Sequence, residues 1–381
     1  MAPANNRFFN ADVMVGLVSL CVAAAVWYSL TRPQGAFSPR VPAAPPGAPV
    51  AAPSPGAADG VTHVDDPNLP ANVNQAIRAS EKGHAREKAG DRNGAIEFYK
   101  EAARLDPVRK FYWSDLASVY LQQNNYDRAY DAFLQAYERD SFEVFILNGL
   151  GYASQSNRRD ADARHFYLTG LTLQPESVDL WTELYNLSHV PGWQDFSSEL
   201  QEASLMPAKV ENNNLLYRLN QYALEQNPDD YYLIVNRALL NLRFMHLDRV
   251  QSDVDKALKI NPRGGAALVA RAQLLNLRGE QEKAAQAYRD CLKISPQPLA
   301  YAELGAIEMQ QGKLEQASQE YGMATQLGTD KPSWVNTLGR LRDAIIKRNS
   351  EGKAKPDGEV KANPGGEVKE KTEKNFPKSG Y

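Results

Sequence analysis

The 381-residue sequence predicts an all-α fold, a solenoid of stacked helix pairs set between an apolar N-terminal stretch and a polar C-terminal tail. Three observations carry this expectation. A block of about 34 residues recurs, with Pro107, Pro175, Pro262 and Pro296 at the block ends. Twenty-four residues before these prolines stand Gly83, Gly151, Ala238 and Ala272, and five before them stand Ala102, Gly170, Ala257 and Cys291. A bulkier side chain (Tyr99, Tyr167, Val254, Tyr288) precedes each second small residue by three positions. Small residues at fixed offsets beside a bulky one describe two helices in close approach, and a period of this length marks a repeat array. One block cannot bury its own apolar face, so the core must come from stacking.

Seven blocks fall in register, beginning at Ala76, Lys110, Val144, Val178, Tyr231, Gly265 and Pro298. The second reads Trp113, Leu116, Ala117, Tyr120, Ala129, Phe133 and Ala136; the last reads Leu304, Gly305, Gly312, Ala317, Tyr321 and Ala324. This pattern resembles the tetratricopeptide repeat family over residues 76 to about 331. The resemblance implies a right-handed superhelix whose first helices line a concave, protein-binding face. Gly90, Gly279 and Gly312 are expected to end first helices in the left-handed conformation. The prolines stop one repeat before the next begins.

The repeat domain is assigned to residues 71–331, and its fourth block is irregular. Val178 to Tyr231 is 53 residues long. Its first helix should end near Pro191 and Gly192, and its second should run from Asn212 to Gln226. Residues 193–207 would then form one extra amphipathic helix through Phe196, Leu200, Ala203 and Leu205, read as a tolerated surface insertion, with an elbow or a docking element as alternatives. Residues 332–348, with Val335, Leu338, Leu341, Ile345 and Ile346 on one side, suit a capping helix that closes the last apolar face.

The flanks have a different character. After a short N-terminal tail (1–12), Val13 to Leu30 is an 18-residue uncharged run between Asp12 and Arg32. At ~1.5 Å per residue it reaches ~27 Å, close to a hydrocarbon core of ~30 Å, and is expected to be a transmembrane signal anchor. A cleaved signal peptide ending near Ala23, Ala24 and Ala25 is the competing reading. Residues 31–70 form a Pro- and Ala-rich linker suited to extended polyproline conformers. Residues 349–381 form a charged tail expected to be disordered. Few Lys or Arg residues flank the apolar run, so the charge bias is nearly balanced. The expectation is a single-pass protein of the bacterial inner membrane with its repeats in the periplasm.

No chemistry-bearing constellation emerges. The net charge is −3, no basic patch interleaved with aromatics occurs, and Cys21 and Cys291 suggest neither a disulfide nor a metal site. His63, His84, His165, His189 and His246 lack ligand spacing, and there is no phosphate loop or H-E-x-x-H motif. The reading is therefore non-enzymatic, without cofactor, metal, nucleic acid or small-molecule substrate.

What the resemblance adds is a groove. In the family, the second, fifth, ninth and twelfth positions of each first helix line the concave face. Here these include Ser80, His84 and Glu87, then Phe111, Ser114, Ser118 and Leu121, then Phe145, Asn148, Tyr152 and Gln155. Later repeats place Tyr232, Val235, Leu239 and Leu242 there, then Ala266, Val269, Gln273 and Asn276. The lysines and arginine with which some members clamp an acidic peptide terminus are absent. Phe111, Ser114, Phe145, Asn148 and Tyr152 are the expected peptide-binding set, with Tyr232 as a second anchor. An extended segment with apolar anchors is the expected ligand. The corresponding function is a membrane-tethered scaffold for a cell-envelope complex. Alternatives are a regulatory subunit of an envelope polysaccharide or secretion enzyme, or an organelle import receptor facing the cytosol.

Overall fold

The structure, a computed structural model, describes residues 69–189, 192–209, 211–328 and 332–353. The apolar run Val13–Leu30, most of the Pro-rich linker and the tail after Lys353 lie outside the described residues. Among the described residues, no helix is long and apolar enough to cross a membrane.

Helices account for nearly all of the described chain. Three regular pairs come first: α1 (Ala71–Lys88) with α2 (Arg92–Leu105), α3 (Lys110–Gln122) with α4 (Tyr126–Arg139), and α5 (Val144–Ser156) with α6 (Asp160–Leu173). Then come α7 (Val178–Leu187), a 3-10 turn (Gln194–Phe196), α8 (Ser197–Leu205) and α9 (Asn212–Gln226). Three more pairs follow: α10 (Tyr231–Arg243) with α11 (Leu247–Ile260), α12 (Gly265–Leu277) with α13 (Gln281–Ile294), and α14 (Pro298–Gln310) with α15 (Leu314–Leu327). Helix α16 (Pro332–Lys353) packs on α15.

Each pair is built by the same local chemistry. The second helices α2 and α4 start at Asp91 and Asn125, whose side chains accept from the backbone N–H groups of Gly94 and Arg128. Inside a pair the small residues admit an aromatic ring. A Cβ added at Gly151 would lie 2.3 Å from the Tyr167 ring, and one at Gly83 would lie 2.6 Å from the Tyr99 ring. Only hydrogen fits at those points, which is why the bulky residue recurs opposite them.

Two helices run beyond the repeat register or the cap. Helix α1 starts at Ala71, more than one turn before Ala76, because Pro70 accepts from the Val73 and Asn74 backbone and the Asn74 side chain donates to Leu69. Helix α16 continues to Lys353, into the stretch expected to be tail. No proline stands before Pro356 to stop it.

The fourth block departs further. Helix α7 packs on the inserted α8, while α9 packs against α10 and α6. The insertion is therefore not a surface addition. Trp193 is only 2% exposed, Leu200 and Ala203 are buried with it, and all three belong to the largest core cluster. The Arg164 guanidinium lies 4.9 Å from the centre of the Trp193 ring, tying α6 to the insertion.

The consequence is that the later repeats turn back onto the earlier ones. Helix α10 packs directly on α6. Between the two halves, Gln297 is completely buried, accepting from the Ser141 backbone N–H at 2.9 Å and donating to the Glu138 carbonyl at 2.9 Å. Ser295 also donates to Glu138, and Arg243 donates to the Thr172 carbonyl. These contacts join residues about 70 to 160 positions apart.

Candidate functional site

The turning-back divides the expected groove into a covered part and an open part. On α10, the positions expected to face a ligand are Tyr232, Val235, Leu239 and Leu242. Val235, Leu239 and Leu242 are buried, as are Ala266 and Val269 on α12. What α10 meets is α6, where Ala163, His165 through Thr172 are all buried. Tyr232, expected to be a second peptide anchor, instead stacks on His165 with centroids 4.7 Å apart and packs against Phe166 and Tyr137. The Asp230 carboxylate lies 3.3 Å from the His165 ring and caps α10 by accepting from Leu233. Burial opposes ionisation of Asp230, but the contacts with His165 and the backbone hold its carboxyl below the usual range. Tyr232 is thus part of the joint between the halves.

The open part belongs to α1, α3 and α5. Phe111, Ser114 and Phe145 come together around one cleft of about 130 Å³, which Lys110, Glu143 and Ile146 complete. Phe145 is 44% exposed and its ring meets Phe133 edge-on at 6.1 Å. Asn148 and Tyr152 lie one and two turns further along α5, both half-buried, and Tyr152 is backed edge-on by Tyr126. Ser114 is buried and its hydroxyl donates to the Phe111 carbonyl at 2.9 Å, so it shapes the floor and offers no free donor. The floor is rigid. The Lys110 ammonium, 3% exposed, donates to Asp140 and Glu143 at 2.8 Å each. Both partners satisfy a charge that would otherwise be costly to bury.

Beside this cleft is a polar cluster that composition alone did not reveal. His84 on α1 faces Asp115 on α3 at 3.4 Å, and its other ring nitrogen is 2.7 Å from the Tyr99 hydroxyl. That hydroxyl donates to Glu87, which also accepts from Gln122 at 2.6 Å. Burial, only partly offset by His84, pushes the Asp115 carboxyl up to about 6. Among the described residues, neither Glu87 nor Asp115 is paired with a lysine or arginine. The helix register identifies His84 and Glu87 as neighbours on one face, but the role of Asp115 needed the packing of α1 on α3.

Residues 80–109, 112–142 and 266–298 match the tetratricopeptide repeat model. The chain is 23% identical over 243 residues to the Hsp70-Hsp90 organizing protein of wheat, a match covering 58% of this chain and 41% of that one. It thus spans less than half the length of that relative. It is 24% identical over 136 residues to the photosystem I assembly protein Ycf3 of Prochlorococcus marinus, covering 35% of this chain and 78% of that one. A tetratricopeptide repeat protein structure from Parabacteroides merdae covers 70% of this chain and 99% of its own, at 19% identity and a TM-score of 0.36. Proteins of this kind are generally non-catalytic adaptors that bind other proteins. Three helix pairs of this all-α array, α1 with α2, α3 with α4 and α12 with α13, thus match the tetratricopeptide repeat, a repeat of the kind that serves protein–protein interaction.

Proposed function

We propose that the open face of α1, α3 and α5 docks an extended segment of a partner protein, and that the chain is a membrane-tethered scaffold assembling a bacterial cell-envelope complex. One observation carries the docking reading. Phe111 and Phe145 remain accessible around a cleft with a rigid floor, and Tyr152 two turns along α5 is half-exposed, whereas the equivalent positions of α10 are covered by α6. A preformed cleft with aromatic walls favours an apolar anchor at low ordering cost. The names of the wheat and Prochlorococcus relatives, an organizing protein and an assembly protein, fit a scaffold.

The docking test is photo-crosslinking in cells, with a benzophenone amino acid replacing Tyr152 in one full-length variant and Glu101 on α2 in another. A partner joined at 152 and not at 101 is the expected result. Equal labelling at both positions removes the groove from consideration.

The membrane tether rests on the uncharged run Val13–Leu30 and the Pro-rich linker after it. The periplasmic placement predicts that protease added to spheroplasts digests the repeats. Their survival until the membrane is ruptured contradicts that topology.

A further inference from the structure

Charge is distributed unevenly along the open face. Helix α5 carries no charged residue, and α3 carries only Lys110 and Asp115. Lys110 is already neutralised by Asp140 and Glu143. Next to the aromatic cleft, Glu87 and Asp115 converge from adjacent first helices, supported by Tyr99, Gln122 and His84. The face therefore offers an apolar slot and, beside it, two carboxylates held by neutral donors and an imidazole. Such a surface complements a cation and repels an acidic segment.

The spacing can be set by helix geometry. The carboxylates lie where α1 meets α3, and the cleft lies where α3 meets α5. Neighbouring packed helices are ~8–10 Å apart, and the Gln122–Glu87 contact puts the carboxylate pair ~9 Å further along α3 than the cleft at ~1.5 Å per residue; an extended chain advances ~3.3 Å per residue, so the two subsites are about four residues apart for an extended ligand. We propose that the partner segment carries a lysine or arginine about four residues from a bulky apolar side chain, the cation seated between Glu87 and Asp115 and the apolar group between Phe111 and Phe145. This deepens the docking reading given above and rests on it.

Proton linkage supplies an independent signature. The titratable groups facing Asp115 are His84 and Glu87 from α1, Tyr99 from α2 and Tyr112 on α3 itself. With the Asp115 carboxyl pushed up to about 6, a bound cation favours its ionised form and displaces a proton. Binding of a cationic segment should strengthen as pH rises from 5 to 7.

The test is selection of a random displayed peptide library on the purified full-length protein at low salt, followed by titration of the best peptide. Enrichment of an apolar residue and a lysine or arginine about four positions apart is expected. Asp115→Asn should weaken that peptide about 10-fold at pH 7 and flatten its pH dependence, and Phe145→Ala should weaken it at every pH. Peptides that require Phe145 but show no preference for a cation, or bind Asp115→Asn equally well, overturn this inference and leave the docking reading intact. Failure to enrich any peptide sensitive to Phe145 overturns both.

Discussion

Asn124, Arg158 and Met245 hold the backbone conformation that Gly90, Gly279 and Gly312 hold in the other pairs. Their φ values are 56°, 60° and 59°, against 81°, 78° and 73° for the glycines. The register makes all six the same position, the turn from first to second helix. The glycines were legible as turns because only glycine enters that region freely. Arg158 and Met245 were not, because neither residue type signals a left-handed turn. A side chain there costs ~1–2 kcal/mol, partly offset on substitution by the extra unfolded-state freedom of glycine. Met245 is 53% exposed, so little packing is lost with it. Met245→Gly is therefore expected to raise stability by roughly 0.5–1 kcal/mol, read as a higher urea midpoint at unchanged slope. A lower midpoint would mean that the Met245 side chain does more than occupy the turn.

At the scale of elements, the helix pairs were legible because close approach leaves a chemical record. Gly151 with Tyr167 and Gly305 with Tyr321 stand at the same offset, and each ring fills the space a side chain would need. The fourth block left no such record. Periodicity showed that 193–207 was amphipathic but not which helix it would meet, and α8 rather than α9 became the partner of α7. The overlooked signal was α6. Second helices such as α13 bury four residues, at Ala284, Ala285, Tyr288 and Cys291, and leave a polar outer face. From His165 to Leu173, α6 has no lysine, arginine, aspartate or glutamate. A helix without a solvated face is one with neighbours on every side. The same packing explains Tyr232, whose register is that of a groove position but whose groove is filled by α6. Among the described residues, nothing comparable packs across α1, α3 and α5, which leaves Phe111, Phe145, Asn148 and Tyr152 partly exposed.

For the whole molecule, the return of the later repeats onto the earlier ones decides which face is available to a partner. It is held by an apolar joint around Tyr137, Phe166 and Tyr232 and by the buried Gln297, whose amide satisfies the backbone of Glu138 and Ser141. Contacts over such sequence separations leave no local pattern, so the joint could not be read from the repeat. Amide hydrogen exchange on the full-length protein tests this arrangement most directly, by comparing α6 with α11, the equivalent second helix of a later repeat. Exchange follows local opening, which is rarer where a helix is covered on all sides. The arrangement predicts that residues 163–172 exchange far more slowly than residues 250–259. Equal exchange in the two helices would contradict it, because α6 would then have an outer face open to water and the groove of the later repeats would be unoccupied.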